Sequence, residues 1–194
     1  MMTSRLDRVL ALIDAANARD PNSEGGEPRE LLYGRRMTAW LERVCPESTE
    51  SLRIAARGQH LRRWEVPRDN YPATREGYLK WRTYLYGFHA DHVADLMAET
   101  GYGQAEIDRV KALIQKRGIK SDAEVQTLED VICLVFLENY LADFAATQDP
   151  GKLMGIVRKT WKKMSERGHE LALQMKFPDA IRALLAEALS ERQQ

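Results

Sequence analysis

REGYLKWRTYLYGFHADHVADLMAET, residues 75–100, is the stretch of this sequence that decides its fold class. Its apolar and aromatic side chains recur at steps of three and four residues, which places them on one face of an α-helix. We therefore expect a single long helix that ends at Gly101. The side chains predicted to form its buried stripe are Tyr78, Trp81, Leu85, Phe88, His92 and Leu96.

The helical period extends outward from this stretch towards both ends of the chain. No run of residues alternates between apolar and polar as a strand would, and a turn-rich loop is expected over 20–28. The sequence therefore predicts an all-α protein of seven to nine helices, folded as one compact domain over 1–194, with its last helices within 150–191. Other predicted helical segments are 4–19, 28–45, 50–64 and 123–147.

Composition restricts the class of function. Lys+Arg and Asp+Glu both number 29, so the formal net charge is zero, which argues against a histone-like or ribosomal-type nucleic-acid binder. Two cysteines, Cys45 and Cys133, cannot form a disulfide framework. The apolar run at 9–13 is too short for a signal peptide or a membrane span. We expect a soluble, cytoplasmic protein that does not enter a membrane.

The zero net charge conceals a separation of charge along the chain. Residues 53–82 contain eight basic and three acidic residues, whereas 121–149 contain seven acidic residues and no Lys or Arg. Either the two stretches neutralise each other, or the basic one lines a cleft for a phosphorylated ligand. In the second case, the candidate ligand-binding residues are Arg36, Arg62, Arg63, Trp81, Arg82 and His92.

Three of the four histidines lie within 33 residues of one another: His60, His89 and His92. Helical spacing puts His89 and His92 on or beside the buried stripe of 75–100, and His60 on the apolar face of the preceding helix. A histidine on an apolar face is commonly a core residue, but three together favour a shared site. Asp130 either faces the same site or interacts with the dipole of its own helix. The candidate catalytic residues are therefore His60, His89 and Asp130.

Three stretches in this order resemble the HD-domain metal-dependent phosphohydrolases: AARGQHLRRW (55–64), FHADHVADLM (88–97) and LEDVICLVF (128–136). The resemblance covers about residues 28–145 and implies an HD-like all-α core. It also implies a divalent metal held by His60 and Asp130. Leu61 stands where that family has the Asp of its His-Asp pair, and Tyr33 stands where it has the first His. The standard metal site is therefore degenerate in this chain.

Four stretches also resemble an uncharacterised family of bacterial and fungal proteins with no assigned activity. They are QHLRRWEVPR (59–68), GYLKWR (77–82), TLEDVICLVFLENYLADF (127–144) and RKTWKKMSERGH (158–169). This second resemblance implies no particular chemistry, so the functional hypotheses rest on the residues themselves.

The first hypothesis is an HD-like protein whose cleft binds a phosphorylated small molecule or a nucleotide, with phosphohydrolase activity not favoured over binding. An alternative is a non-enzymatic interaction domain, which a solvent-facing patch of Trp64, Tyr71 and Trp81 would favour. A further alternative is an active metal-dependent phosphohydrolase with substituted ligands. Nucleic acid is not an expected partner, and the sequence does not determine the oligomeric state.

Overall fold

The computed structural model describes residues 4–119 and 121–190. The ends of the predicted domain, 1–3 and 191–194, lie outside the described residues, and so does the last residue of the segment 150–191. The chain falls into two compact units, Met1–Leu128 and Glu129–Gln194. The boundary lies within one helix, and the organisation as a single domain stays a prediction.

The all-α class is confirmed, and the described residues form ten α-helices where the sequence predicted seven to nine. In the first unit they are α1 (Arg5–Asn17), α2 (Arg29–Val44), α3 (Glu50–Gly58), α4 (Arg75–Glu99) and α5 (Gln104–Ile114). The boundary helix is α6 (Ala123–Asn139), and the second unit continues with α7 (Leu141–Thr147), α8 (Pro150–Lys163), α9 (Glu166–Leu173) and α10 (Asp179–Ser190). The predicted helix over 123–147 is two helices because the backbone leaves helical geometry at Tyr140.

A short antiparallel hairpin, which the sequence did not predict, precedes α2. Its strands are β1 (Ser23–Glu24) and β2 (Glu27–Pro28), within the loop expected over 20–28. Gly25 and Gly26 between them both have positive φ, a conformation that glycine adopts without steric cost. Strands of two residues are too short for an alternating pattern to be recognised in the sequence.

The core of the first unit surrounds α3, which contacts α1, α2, α4 and α5. Gly58 permits the close approach of α3 to α4, since a Cβ there would lie 2.5 Å from Val93 Cγ2. Large side chains of this unit that are shielded from solvent include Trp40, Met37, Leu52, Met97, Leu113 and Ile114. Burial of this much apolar surface is the main term that stabilises the unit.

Helix α4 confirms the long helix predicted over 75–100, but its buried face differs from the predicted stripe. Tyr78 is 41% exposed, so its predicted place in the core is wrong. The face that carries Gly77, Trp81, Leu85 and His89 is buried instead. The reason is the loop before α4: a Cβ on Gly77 would lie 2.2 Å from the carbonyl oxygen of Pro72, so this loop covers the first turn at that face.

The second unit contains the end of α6 and four further helices, of which α10 contacts α7 and α8. Its buried residues include Val131, Leu134, Leu141, Leu153 and Val157. No helix formed by the described residues is both long enough and apolar enough to cross a membrane.

Candidate functional site

The turn that follows α3 positions the predicted site residues. The helix predicted over 50–64 ends at Gly58, and Arg62 adopts the left-handed region with φ 56°. This conformation is costly for a residue with a side chain, and the structure stabilises it with a hydrogen bond from the Arg62 backbone N–H to Asn17 Oδ1 at 3.0 Å. The turn thereby holds His60 and Arg63 beside α2 and α4.

His60 lies at the centre of a group that we call the His60 cluster: Glu30, Tyr33, His60, Arg63 and His89. The ring of Tyr33 stacks on the imidazole with centroids 3.8 Å apart, and the His89 ring centre is 5.8 Å away. Arg63 Nη1 lies 3.1 Å from His60 Nε2. Because a guanidinium only donates, Nε2 is the acceptor and the proton is on Nδ1, which lies 3.0 Å from Glu30 Oε2.

Glu30 is a buried carboxyl group in the first turn of α2, and its side chain is 9% exposed. Its backbone N–H donates to Asp20 Oδ2 at 3.0 Å, so two acidic side chains lie close together. Burial, opposed by the charge of Arg63 and reinforced by that of Asp20, raises the pKa of Glu30 to about 7. The Glu30 carboxyl group is therefore partly protonated near neutral pH.

His89 is the most deeply buried histidine, at 2% exposure. Its Nδ1–H donates to the carbonyl oxygen of Leu61 at 2.9 Å, so Nε2 carries a lone pair, for which the described residues offer no hydrogen-bond donor. Burial, followed by the nearby His60, lowers the pKa of His89 to about 3. His89 is therefore neutral at physiological pH, and it holds the turn that carries His60.

Three cations act on His60 from different elements. Burial is the largest cause that holds the pKa of His60 well below its usual range, followed by the charges of Arg63, Lys116 and Arg82. Arg82 lies on α4 between two tyrosines: Nη2 donates to the hydroxyl of Tyr86 at 2.5 Å, and Nη1 donates to that of Tyr78 at 3.4 Å. Lys116 Nζ lies 5.7 Å from the centre of the Tyr86 ring. We call His60, Arg63, Arg82 and Lys116 the cationic surface.

Arg63 and Arg82 differ from many other arginines of the first unit in the partners they have. Arg63 donates to an imidazole, and Arg82 donates to two phenol oxygens, so all of these acceptors are neutral. Among the described residues, the one carboxylate near either guanidinium is that of Glu30, which lies 3.9 Å from Arg63 Nε. Six other arginines form ion pairs with carboxylates at 3.0 Å or less: Arg5, Arg35, Arg36, Arg57, Arg62 and Arg109.

The remaining predicted ligand-binding residues have partners of their own. Arg36 pairs with Glu24 at 2.5 Å, and Arg62 pairs with Glu65 at 2.7 Å. Trp81 is 8% exposed, and its indole N–H donates to the carbonyl oxygen of Val66 at 2.9 Å. The guanidinium carbon of Arg63 lies 4.7 Å from the centre of the Trp81 ring, so Trp81 makes a cation–π contact with Arg63.

His92 lies one turn beyond His89 on α4, and its Nδ1–H donates to the carbonyl oxygen of Phe88 at 2.9 Å. It lines an open pocket of about 360 Å³ that does not include the His60 cluster. The structure thus brings His60 and His89 together and places His92 beside them. The pocket is lined by Leu12, Ala15, Ala16, Arg19, Leu61, Arg62, Trp64, Glu65, His92, Asp95 and Leu96.

Asp130 lies in the second unit, where its carboxylate holds the start of α9. Oδ1 accepts from the backbone N–H of Ser165 at 2.8 Å, and Oδ2 accepts from the Ser165 hydroxyl. Gly168 packs against this carboxylate, since a Cβ there would lie 2.9 Å from Oδ1. These contacts give Asp130 a structural role, and its predicted catalytic and metal-binding roles stay predictions.

The donors around His60 do not fit a divalent cation. Among the residues described, no three His, Cys, Asp or Glu side chains are grouped so that they could hold a metal ion. Arg63 donates to the nitrogen that would be the metal ligand, and hard cations need several oxygen or imidazole donors without neighbouring positive charge.

Sequence reasoning missed Glu30 and Lys116. Glu30 resembles any acidic residue in the first turn of a helix, where acids are common, and its burial depends on the distant turn around His60. Lys116 has a positive φ of 57° just after α5, and its position near His60 likewise depends on tertiary contacts. Neither residue carries a local signal of its role.

Comparison with known protein families gives a match over most of the chain. The model of a family described as a domain of unknown function, DUF4202, matches residues 7–185. No protein with a curated description and no solved structure matches the chain.

Proposed function

We propose, for a chain that belongs to the DUF4202 family of domains of unknown function, that its first unit binds a phosphorylated small molecule or a nucleotide at the cationic surface. One observation carries the proposal: Arg63 and Arg82 direct their guanidinium groups to neutral partners beside His60. Their charges are therefore available to an anion from solution.

What a guanidinium gains from a phosphate depends on the partner that the phosphate replaces. A guanidinium that is already bound to a carboxylate gains little from a phosphate, because one charge-assisted pair replaces another. A guanidinium bound to an imidazole or a phenol gains a charge-assisted, bidentate interaction when a phosphate replaces that neutral partner. Arg63 and Arg82 are both partly buried, which reduces the screening of such an interaction by water.

His60 contributes to binding through its position between Arg63 and Glu30. Its Nε2 holds Arg63 in place before a ligand arrives, and Glu30 fixes the tautomer that leaves Nε2 as an acceptor. The cationic surface is preorganised in this way, which lowers the entropic cost of binding.

The aromatic side chains beside these cations support a ligand with a planar ring. Tyr78 is exposed, and Tyr86 is half-buried between Arg82 and Lys116. Exposed aromatic rings next to guanidinium groups stack nucleobases. A nucleotide is therefore within the proposed ligand class.

Hydrolysis of the bound ligand is a second candidate, and the Glu30–His60 pair is the observation that favours it. The Glu30 carboxyl group is hydrogen-bonded to His60 Nδ1, and Nε2 of the same ring is an acceptor. In this arrangement a histidine can take a proton from an attacking nucleophile through Nε2. The HD-like core over 28–145 is part of this candidate. We propose binding first, because Arg63 occupies Nε2.

The alternative of an interaction domain has less support. It required Trp64, Tyr71 and Trp81 to form a solvent-facing patch, but Trp81 is buried beneath Arg63 and Trp64 lines the open pocket.

The test is calorimetric titration of a nucleoside 5′-monophosphate into the purified chain, and into Arg63→Gln and Arg82→Gln variants. Each substitution is expected to weaken binding at least about tenfold, since it removes one charge-assisted contact. Arg53→Gln is the matched control, because Arg53 bonds to Ser48 and to the carbonyl of Pro46, away from His60. Binding that is absent, or is equal in all four proteins, would overturn the proposal. Release of inorganic phosphate in the same samples would add the second candidate.

A further inference from the structure

We infer that the cationic surface selects a terminal phosphate group that carries two negative charges over a phosphodiester or sulfate ester that carries one. The inference rests on the proposed function and adds the substrate class to it. It concerns the charge of the ligand rather than its shape.

The first step is the number of guanidinium charges that a ligand must neutralise. Arg63 and Arg82 each bond to neutral side chains, and they come from two elements, the turn after α3 and α4. Two contacting rings lie between them: Arg63 is 4.7 Å from the centre of the Trp81 ring, that centre is 6.0 Å from the Tyr78 ring, and Arg82 is 5.8 Å from Tyr78. A ligand placed along these rings therefore meets two guanidinium groups.

The second step is the position of the single carboxylate. Glu30 Oε2 bonds to His60 Nδ1, on the side of the ring opposite to the Nε2 that Arg63 occupies. Glu30 Oε1 is 3.9 Å from Arg63 Nε, beyond hydrogen-bond distance. Glu30 therefore balances part of the charge of Arg63, while Arg82 has two phenol oxygens and no carboxylate within the part of the chain that is described.

The third step is the charge of the ligand. A phosphomonoester has a second pKa of about 6 and is a dianion above it, whereas a diester or a sulfate ester has one charge at any such pH. A monoanion can neutralise one guanidinium and leaves the other without a partner of opposite charge. In a partly buried site, that difference in Coulomb energy favours the dianion.

The experiment compares phenyl phosphate with phenyl sulfate at pH 8 and low salt, by calorimetric titration into the full chain. The two probes share the ring and the three terminal oxygens, so their difference is one charge. We expect phenyl phosphate to bind at least about tenfold more tightly. In Arg82→Gln, which retains one guanidinium, the preference should fall to about threefold or less, and in Arg53→Gln it should be unchanged.

The outcomes separate the inference from the proposed function. Equal affinities for the two probes, or a preference that Arg82→Gln does not reduce, overturn the charge selection and leave anion binding at this surface standing. Failure of both probes and of the nucleoside monophosphate to bind overturns the proposed function and the inference together. Methyl phenyl phosphate, a diester, should bind like the sulfate, and equal binding with phenyl phosphate would also contradict the inference.

Discussion

Two buried acidic side chains, Glu30 in the first unit and Asp130 in the second, differ in how fully their neighbours compensate the negative charge. Glu30 lies in the first turn of α2, whereas Asp130 lies in the middle of α6, and both are almost fully shielded from solvent. The Asp130 carboxylate receives hydrogen bonds from the backbone N–H and the hydroxyl of Ser165. Glu30 bonds to an imidazole that burial, and then the charge of Arg63, keep neutral, and the raised pKa of Glu30 records an incompletely compensated charge.

The difference shows how to separate a structural acid from a functional one. A carboxylate whose lone pairs are filled by the start of a helix stabilises the fold and has little left to offer a ligand. A buried carboxyl group with a neutral histidine between it and an arginine reduces stability at high pH, which is typical of functional sites. On this criterion we place Glu30, rather than Asp130, at the proposed site.

The largest effect expected from this comparison is a pH dependence of stability that comes from Glu30. The usual pKa is 4.5 and that in the folded chain is about 7, so between these pH values the folded state holds the proton and the unfolded state has lost it. Glu30 therefore contributes a fall of about 3 kcal/mol in the free energy of unfolding as pH rises from about 5 to 8. The lowered pKa values of His60 and His89 contribute a rise over the lower part of that range, so the contribution of Glu30 is read as a difference from a variant without it. Urea denaturation across that range measures it.

Glu30→Gln should remove that decrease, because a glutamine has no proton to lose. Glu65→Gln, at the exposed Arg62–Glu65 pair, is the control and should keep the slope of the unsubstituted protein. If the stabilities of Glu30→Gln and of the unsubstituted chain change in parallel between pH 5 and 8, Glu30 is not the uncompensated acid described above.

The second effect is the loss of stability in Asp130→Ala. This substitution leaves the Ser165 N–H and hydroxyl without their acceptor and opens space beside Gly168, at a cost of about 2–3 kcal/mol. Binding of a nucleoside monophosphate by the folded variant should be unchanged within about twofold. A variant of full stability that no longer binds would return Asp130 to the functional site.

A smaller effect on stability is expected at Asp149, which is the solvent-exposed N-cap of α8. Its carboxylate accepts from the backbone N–H of Lys152 at 3.1 Å. Asp149→Ala should lower the free energy of unfolding by about 1 kcal/mol, the usual value for an exposed cap. This measurement calibrates the Asp130 result, and a loss equal to that of Asp130→Ala would mean that burial adds nothing to the hydrogen bonds of Asp130.

The smallest effect concerns Arg36, which the sequence suggested as a phosphate ligand. Arg36 is paired with Glu24 near the surface, and such pairs contribute about 0.5 kcal/mol. Arg36→Gln should therefore change stability by about that amount and phosphate affinity by less than about twofold. A tenfold loss of affinity would show that the ligand reaches as far as the β1–β2 hairpin.

The sequence predicted well those features that depend on neighbouring residues. The period of α4 and the capping box of Ser4 and Asp7 are both confirmed, because both are set within one or two helical turns. The all-α class followed from the same local pattern. The break at Tyr140 and the end of α3 at Gly58 were not predicted, because apolar periodicity continues through both.

The site was predicted in part, and its missing members have a common physical cause. His60, His89, Arg63 and Arg82 were candidates because of their residue types and spacing, and the structure brings them together. Glu30 enters the site through the turn that Asn17 and His89 hold in place. Such contacts join residues far apart in sequence, and one sequence contains no periodic signal for them.

A titration of phenyl phosphate into ¹⁵N-labelled protein, followed through the side-chain Nε–H signals of the arginines, shows directly whether Arg63 and Arg82 bind the same anion. We expect the signals of Arg63 and Arg82 to shift with the same dissociation constant, while that of Arg57, paired with Asp14, remains in place. Shifts confined to other arginines, with Arg63 and Arg82 unchanged at saturation, would contradict that expectation.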